Sequence, residues 1–178
     1  MKPRLLFVIG ASGAGKTASV RLLDRRALPG VRCFYFDTIG VPTPDVMERD
    51  WGGGEQWQEY ATRWWIEQLV SNAADATVAV LDGQTRPSFI RTHAAPAGAT
   101  YRVLLLDCVA AVRATRLRDG RAQPELATQR MEDWAGYLRR EASEQDIPII
   151  DTSHLSVDAV ADALQGAVEQ LGHEEQRS

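Results

Sequence analysis

The stretch GASGAGKT, Gly10–Thr17, decides the fold of this chain. It follows the apolar run LLFVI at 5–9, precedes a helical pattern, and matches G-x-x-x-x-G-K-[ST] at every fixed position. Its glycines let the backbone turn tightly with N–H groups pointing inward, and the next helix adds its positive N-terminal end. The stretch therefore predicts a strand, a phosphate-binding loop and a helix in succession.

Side chains at the end of this loop predict what it binds. Lys16 supplies a mobile positive charge for the β- and γ-phosphates of a nucleotide, and Thr17 offers a hydroxyl to Mg²⁺. We therefore predict that ATP and Mg²⁺ are the cofactors. The residues predicted to contact the nucleotide are Gly10, Ser12, Gly13, Ala14, Gly15, Lys16, Thr17 and Ala18.

Length and composition limit the class of protein. The chain has 178 residues, of which 44% are apolar and 25% charged, values typical of one globular domain spanning 1–178. A net charge of −4 disfavours nucleic acid as a partner. No apolar run is long enough to span a membrane, and Cys33 and Cys108 lack metal-ligand spacing, so we predict a cytoplasmic protein. The oligomeric state stays open.

Five short apolar runs predict the strands of one sheet. They lie near 4–10, 31–37, 77–83, 101–108 and 147–153, and helical patterns separate them. Continuous apolar runs are typical of strands buried on both faces, as in a parallel sheet. The last helical stripe has Ser156 as a candidate N-cap and Gly172 as a candidate stop. The pattern predicts an α/β protein with a mostly parallel sheet.

All runs but the first end at or just before an aspartate. In parallel sheets, ligands bind at the carboxyl ends of the strands, so these carboxylates are expected along one edge near the glycine-rich loop. Either Mg²⁺ and basic side chains neutralise them, or some of them turn away. The four are Asp37, Asp82, Asp107 and Asp151.

Three further stretches narrow the class: YFDTIG at 35–40, LDGQTRP at 81–87 and VRATRLRDGR at 112–121. Together with the loop they resemble the P-loop nucleoside/nucleotide-kinase-like family. That family includes adenylate, shikimate and gluconate kinases, antibiotic kinases of the chloramphenicol phosphotransferase type, and zeta-toxin-like sugar-nucleotide kinases. The resemblance implies a three-layer αβα fold with a five-stranded, mainly parallel sheet and a short Arg-rich lid. A GTPase would need an N-K-x-D element, which the sequence lacks.

The resemblance also implies roles at the strand ends. Asp37 matches the position whose carboxylate accepts the proton of the acceptor hydroxyl, although a loop or capping role is an alternative. Asp82 would bind Mg²⁺, Gly83 would permit close approach of a ligand, and Arg86 would hold a substrate phosphate. A turn position is the alternative for Asp82, and a surface salt bridge is an equal alternative for Arg86. The pair Gln84-Thr85 departs from the Phe-Pro of adenylate kinases, so the acceptor is left open.

The arginines after the fourth run resemble the lid of the same kinases. Arg116 matches the residue that stacks on adenine, and Arg121 matches the mobile phosphate clamp that would act in catalysis. Arg113, Arg118 and Arg130 are further candidates for phosphate contacts. The lid is expected over roughly 113–132, although a solvated Arg-rich helix is the alternative.

The acceptor is expected to bind to the segment of roughly 41–72. Its WGGGEQW stretch places three glycines between two tryptophans, which suggests a hinge at 52–54. We predict that Trp51 forms part of the pocket wall and that Arg49 contacts the substrate; an ordinary loop leading into a helix is an equal alternative. The other tryptophans of this segment, Trp57, Trp64 and Trp65, have helical spacing typical of a core face.

These observations predict an ATP- and Mg²⁺-dependent phosphotransferase whose acceptor is a small molecule, nucleoside- or nucleotide-like or a natural product with a hydroxyl group. The alternative is a nucleotide-binding regulatory or partner-binding module with little or no transfer to an acceptor. The predicted catalytic residues are Lys16, Asp37 and Arg121, and the predicted metal ligands are Thr17 and Asp82. The predicted substrate contacts are Asp37, Arg49, Trp51, Gly83 and Arg86.

Overall fold

A parallel five-stranded sheet forms the centre of the molecule. The computed structural model describes residues 3–73, 75–120 and 122–173. Within those residues the strand order is β2-β3-β1-β4-β5, and each neighbouring pair is parallel. The strands are β1 (Arg4–Ile9), β2 (Val31–Tyr35), β3 (Val78–Gly83), β4 (Tyr101–Asp107) and β5 (Ile149–Asp151).

Helices connect the strands. They are α1 (Lys16–Arg25), α2 (Pro44–Trp51), α3 (Gly54–Asn72), α4 (Pro87–Ala94), α5 (Ala110–Thr115), α6 (Gln129–Glu144) and α7 (Val157–His173). Short 3-10 helices lie at Phe36–Ile39 and Pro124–Leu126, and a π-helical turn, Arg116–Gly120, follows α5. Within the described ranges, none of the helices has both the length and the apolar character needed to cross a membrane.

Two apolar clusters lie on the two faces of the sheet. On one face, Leu5, Phe7 and Ile9 of β1 pack with residues of α3, α4 and α6. On the other face, Leu6 and Val8 pack with residues of α1 and α7. Because successive side chains of a strand point to opposite faces, the run at 5–9 supplies both clusters. The structure therefore confirms the three-layer αβα fold with a five-stranded parallel sheet.

The structure differs from the sequence prediction at the edges of the sheet. The apolar runs predict burial on both faces of every strand, but β2 is only half-buried and Ile149 of β5 is exposed. The strand order explains this difference, because β2 and β5 each have a neighbour on one side only. An apolar run by itself does not reveal whether its strand lies inside the sheet or at its edge.

The structure also differs from the sequence-based expectation at two helices. Gly172 does not stop the last helix, because α7 continues to His173, and the Gly172 carbonyl accepts a hydrogen bond from Arg4. Helix α2 has no counterpart among the predicted elements, since none of its residues is buried and it lacks a core stripe. The predicted N-cap is confirmed: Ser156 Oγ accepts from the Ala159 backbone N–H at 3.1 Å.

Candidate active site

The glycine-rich loop lies between β1 and α1, as its sequence predicts. Gly13 and Gly15 have φ values of 82° and 94°, a left-handed conformation that favours glycine. Gly13 is also tightly packed, because a Cβ there would come within 2.9 Å of Arg113 Cγ. Lys16, the first residue of α1, is buried, and its Nζ donates to the Ala11 carbonyl oxygen at 3.2 Å. The Lys16 side chain therefore points back towards the start of the glycine-rich loop.

A buried charge network lies beneath the loop. Arg113 has no exposed side-chain surface, donates to Asp107 at 2.8 Å, and pairs with Glu132 at 3.0 Å. Arg139 contacts the other Asp107 oxygen at 2.7 Å. Burial is the largest single influence and lowers the pKa of Arg113, but the hydrogen bond to Asp107 and the nearby charges of Asp107 and Glu132 together outweigh it, so the pKa of Arg113 lies above its ordinary value. Basic side chains thus neutralise Asp107, and Arg113 supports the loop from within instead of facing a lid.

Asp82 is the penultimate residue of β3, which lies between β1 and β2 in the sheet. It pairs in register with Val8 of β1 and Tyr35 of β2, and it is 5% exposed. No group of three or more His, Cys, Asp or Glu side chains suited to a metal occurs in the described part of the chain. One carboxylate beside a threonine hydroxyl nevertheless fits Mg²⁺, which is typically bound by one or two carboxylates together with substrate phosphates.

A central cavity of about 360 Å³ joins the loop to the ends of β2 and β3. Its predicted site residues come from the loop, from the 3-10 helix after β2 and from the end of β3. Leu126 and Gln123, from the segment before α6, close its other side. The predicted residues that line it are Ser12, Lys16, Thr17, Asp37, Asp82 and Gly83.

A flanking cavity of about 350 Å³ adjoins the other side of the loop. Arg116 lines it, and its guanidinium donates to the Thr152 hydroxyl at 2.9 Å and to the Thr152 carbonyl at 2.7 Å. The Thr152 hydroxyl in turn donates to the Ala14 carbonyl at 2.9 Å. This threonine therefore ties the loop after β5 to both the glycine-rich loop and Arg116. The predicted residues that line the flanking cavity are Gly13, Gly15, Thr17, Ala18 and Arg116.

A large cavity of about 890 Å³ lies beyond the central one. Asp37 lines both cavities, and its carboxylate makes no hydrogen bond or ion pair with the described residues. Met47 of α2, Trp57 of α3 and Trp134 of α6 contribute apolar walls. The segment of 41–72 therefore does line this cavity, through residues that include Gly54 of the glycine run, but not through Arg49 or Trp51.

Arg86 lines the large cavity, but its guanidinium is already occupied. One terminal nitrogen donates to Gln58 Oε1, and the other pairs with Glu55 at 3.0 Å. The guanidinium carbon lies 5.1–5.5 Å from the ring centres of Phe89, Trp134 and Tyr137. The predicted phosphate clamp thus pairs with an exposed carboxylate and packs against three aromatic rings.

Several predicted residues either lie outside the three cavities or contact other parts of the protein instead of open space. Arg49 is exposed and pairs with its neighbour Asp50 at 2.6 Å, and Trp51 packs at 6.1 Å on the Tyr60 ring. Gly83 lines the central cavity, but the group nearest to it is Phe36, which a Cβ would approach to 3.0 Å. Arg118 is exposed, and Arg121 lies outside the described residues. Gly10 and Ala14 are buried within the loop and line none of the cavities.

The glycines at 52–54 form a corner between two helices. Gly52 caps the end of α2 with φ 81°, and Gly53 precedes α3 with φ 131°. These backbone angles favour glycine, so the corner itself accounts for the run of glycines. Trp57 and Trp65 are buried in the core as their spacing predicts, although Trp57 also borders the large cavity.

Some cavity residues have no place in the sequence-based prediction. Arg21 lines both the central and flanking cavities, and its position one helical turn after Thr17 could have revealed it. Gln84, next to Gly83, lines the central and large cavities. Glu55 and Trp134 carry no such signal, because they reach the site only through the packing of α3 and α6.

The two thiols are unsuited to nucleophilic catalysis. Burial, assisted by Asp24, raises the pKa of Cys33 to about 12. Burial also raises the pKa of Cys108, whose thiol contacts the Gly13 carbonyl. Both side chains are free cysteines that remain protonated at neutral pH. The chemistry of the site therefore depends on its carboxylates, its lysine and its arginines.

Comparisons with known proteins identify the fold. No protein-family model matches the sequence, and no curated protein matches it. Among solved structures, a gluconokinase from Sinorhizobium meliloti 1021 superposes with a TM-score of 0.71 at 15% identity, covering 98% of this chain and 96% of its own. The tunicamycin resistance protein of Deinococcus radiodurans gives 0.63 at 22% identity, covering 94% and 96%.

A third solved structure agrees with these two. Shikimate kinase from Acinetobacter baumannii, in complex with shikimate, gives a TM-score of 0.61 at 16% identity and covers 94% of each chain. At such identities the similarity concerns the fold and does not transfer a substrate. The fold that the four sequence stretches predict, that of the P-loop nucleoside/nucleotide-kinase-like proteins, is the fold of this chain.

Proposed function

We infer that the protein is an ATP- and Mg²⁺-dependent phosphotransferase that transfers the γ-phosphoryl group to a hydroxyl of a small molecule. The observation that carries this inference is the position of Asp37. Its carboxylate borders both the cavity that contains Lys16, Thr17 and Asp82 and the separate large cavity beside it. A donor phosphate and an acceptor hydroxyl could therefore meet at this carboxylate.

In this proposal the glycine-rich loop binds the donor. Backbone N–H groups of the loop and the N-terminus of α1 bind the phosphates, and Lys16 offsets their negative charge. Thr17 and Asp82 would hold Mg²⁺, which supplies charge neutralisation at the phosphate oxygens. Arg116 borders the flanking cavity, whose walls include Leu155 and Val157 and suit the base.

Asp37 orients the acceptor in this proposal. Its carboxylate accepts a hydrogen bond from the acceptor hydroxyl, and takes the proton as the new oxygen–phosphorus bond forms and the bond to ADP breaks. Phosphoryl transfer needs an oriented acceptor more than a strong base, so an ordinary carboxylate is sufficient. Water must be kept from the γ-phosphate. Leu126 borders both cavities, and Gln123, Glu125 and Thr128 each border one of them, so this segment lies where a cover is needed.

The proposal treats 1–178 as one kinase domain in the cytoplasm. The segment of 41–72 contributes the acceptor side, and 113–132 contributes the lid. Arg121 stays a predicted phosphate clamp within that lid. Arg113 differs, because its full burial beneath the loop assigns it to support of the fold.

Acceptor-dependent ADP formation tests the proposal. Purified protein with ATP and Mg²⁺ is screened against nucleosides, mononucleotides, sugars and aromatic natural products. We expect at least one class to raise ADP formation well above the background with water, and chelation of Mg²⁺ to remove the increase. The phosphorylated product is then identified by mass spectrometry.

The same screen separates the alternative function. A nucleotide-binding regulatory module would bind ATP, with a change in tryptophan fluorescence, yet no acceptor would raise ADP formation. That outcome would contradict the transferase and support the regulatory module. The Asp37 carboxylate, which has no hydrogen-bond or ion-pair partner among the described residues and borders two cavities, favours the transferase, because nucleotide binding alone does not require it.

A further inference from the structure

The charges that line the large cavity do not suit an anionic acceptor. Three carboxylates border it, those of Asp37, Glu55 and Glu125, against two guanidinium groups, those of Arg86 and Arg130. The lining therefore carries a formal charge of −1, from three negative and two positive side chains. An anion entering this cavity meets more negative than positive charge.

Arg86, one of the two cations that line the cavity, already has two partners from the protein. Glu55 pairs with one terminal nitrogen at 3.0 Å, and Gln58 Oε1 accepts from the other. Gln58 is itself held in place, because its Nε2 donates to the Gln84 carbonyl at 2.8 Å. Both terminal nitrogens therefore already have acceptors from the protein.

Aromatic rings further restrict access to the Arg86 guanidinium. Its central carbon lies 5.1 Å from the ring centre of Trp134 and 5.5 Å from that of Tyr137, and only 19% of the side chain is exposed. A phosphate or carboxylate group of a ligand that approached Arg86 would compete with Glu55 and would meet the negative charge of that carboxylate. The Arg86 guanidinium, its charge offset by Glu55, thus forms part of the cavity wall and does not serve to bind a phosphate of the ligand.

The remaining lining favours an uncharged ligand with an apolar body. Gln84, Gln58 and Thr128 offer neutral hydrogen-bonding groups, and the other residues are mostly apolar. A pocket with apolar walls and a few polar groups orients a ligand through hydrogen bonds instead of charge. The apolar and aromatic lining residues are Phe36, Val41, Met47, Trp57, Leu126, Met131 and Trp134.

We propose that Glu55 determines acceptor specificity: by neutralising Arg86, it makes the large cavity select an uncharged hydroxyl compound with an aromatic or apolar body over an anionic acceptor. The substrate class in this proposal rests on the proposed phosphotransferase function. The binding preference is a property of the cavity alone and can be measured without ATP.

Matched ligand pairs test the preference. Thymidine is compared with thymidine 5′-monophosphate, and 4-nitrophenyl glucoside with 4-nitrophenyl glucuronide, so that each pair differs by one anionic group. Binding is followed by quenching of tryptophan fluorescence, because Trp57 and Trp134 line the cavity. ADP formation with ATP and Mg²⁺ is measured separately. We expect the uncharged member of at least one pair to bind ten-fold or more tightly than its anionic partner.

Glu55→Gln removes the negative partner of Arg86 and keeps the shape of the side chain. In this variant we expect the affinity for the anionic member, relative to the uncharged one, to rise at least five-fold. Glu67→Gln is the matched control, because it makes the same change on α3 at a carboxylate that pairs with Arg63 and lines none of the three cavities. Thermal unfolding verifies that both variants fold.

The outcomes separate the two proposals. Tighter binding of the anionic members, no measurable binding by either member of any pair, or an unchanged preference in Glu55→Gln would overturn the role of Glu55. If an uncharged ligand binds and ADP formation does not rise, the specificity proposal stands and the phosphotransferase function fails.

Discussion

The donor and acceptor sides of the candidate site are built in different ways. On the donor side, buried residues close to the glycine-rich loop hold one another, as in the contact of Arg113 with Asp107 and the packing of Gly13 on Arg113. On the acceptor side, the walls come from α2, α3 and α6, and several of their side chains are half-exposed. The first side is rigid by burial, and the second depends on how separate helices pack.

This difference indicates where function is fixed and where it can vary. In the proposed function, phosphate binding would use backbone N–H groups and one lysine, and this arrangement would tolerate little change because the loop is enclosed. Acceptor binding would use side chains on helices at the surface, which can be exchanged without loss of the core. The comparison therefore predicts large effects of substitution on the donor side and smaller, ligand-specific effects on the acceptor side.

Removal of Lys16 is expected to have the largest effect. Lys16→Ala takes away the charge that would face the transferred phosphate, and the loss of one such preorganised group costs about 100-fold to 1,000-fold in rate. ADP formation at saturating acceptor measures the effect. Arg25→Ala, which removes an exposed positive charge at the end of the same helix, is the control. Equal losses in the two variants would contradict a specific role of Lys16.

Removal of Arg113 is expected to unfold the protein more readily. Within the described part of the chain, Arg113→Met leaves Asp107 with the half-exposed Arg139 as its ion-pair partner, and breaking a buried ion pair costs about 3 kcal/mol in the free energy of unfolding. Denaturant unfolding measures the change. Arg118→Met makes the same substitution at an exposed position and should leave stability nearly unchanged. A stable Arg113→Met protein that lacks only activity would instead favour a direct phosphate contact.

Substitution of Asp37 tests the role of the carboxylate that borders both the donor and the acceptor cavity. Asp37→Asn should leave ATP affinity nearly intact and reduce acceptor-dependent ADP formation at least ten-fold, about 1.4 kcal/mol in the barrier. Asp45→Asn, an exposed carboxylate of α2 outside the three cavities, is the matched control. Turnover equal to that of the parent protein would contradict the role of Asp37 in orienting the acceptor. Weaker ATP binding would indicate that Asp37 contacts the nucleotide instead.

Substitution of Arg49 is expected to have the smallest effect. Its guanidinium is exposed and pairs with the adjacent Asp50, outside the large cavity. Arg49→Ala should therefore leave kcat and KM for the acceptor within about two-fold of the parent values, as is usual for an exposed ion pair. A large rise in KM would show that α2 moves towards the acceptor, and would restore Arg49 as a substrate contact.

The sequence predicts the donor side far better than the acceptor side. The apolar runs and the loops of the αβα fold are visible in short stretches of sequence. The loop at 10–17 and the carboxylate of Asp82 can therefore be recognised from the residues next to them in the chain. The position of Arg86 is also predicted, but its pairing with Glu55 is not. That pairing depends on the packing of α3 against the segment after β3, and no local pattern describes it.

Arg113 shows the same limit for the predicted lid. Its Arg-rich stretch suggests contacts with phosphate, whereas the tertiary structure turns this side chain inward to Asp107 and Glu132. A run of arginines predicts a positive charge but not the direction in which each side chain points, because that direction depends on where the chain bends after β4. The π-helical turn at Arg116–Gly120 is part of that bend.

The sequence by itself thus determined the phosphate-binding loop, the alternation of strands and helices, and the row of aspartates at the strand ends. These features depend on hydrophobic period and on backbone freedom, which act between near neighbours in the chain. Only the tertiary structure decided which charges meet. It buried Arg113, paired Arg86 with Glu55 and left Asp37 between two cavities, because electrostatic partners are set by distance in space and not along the chain.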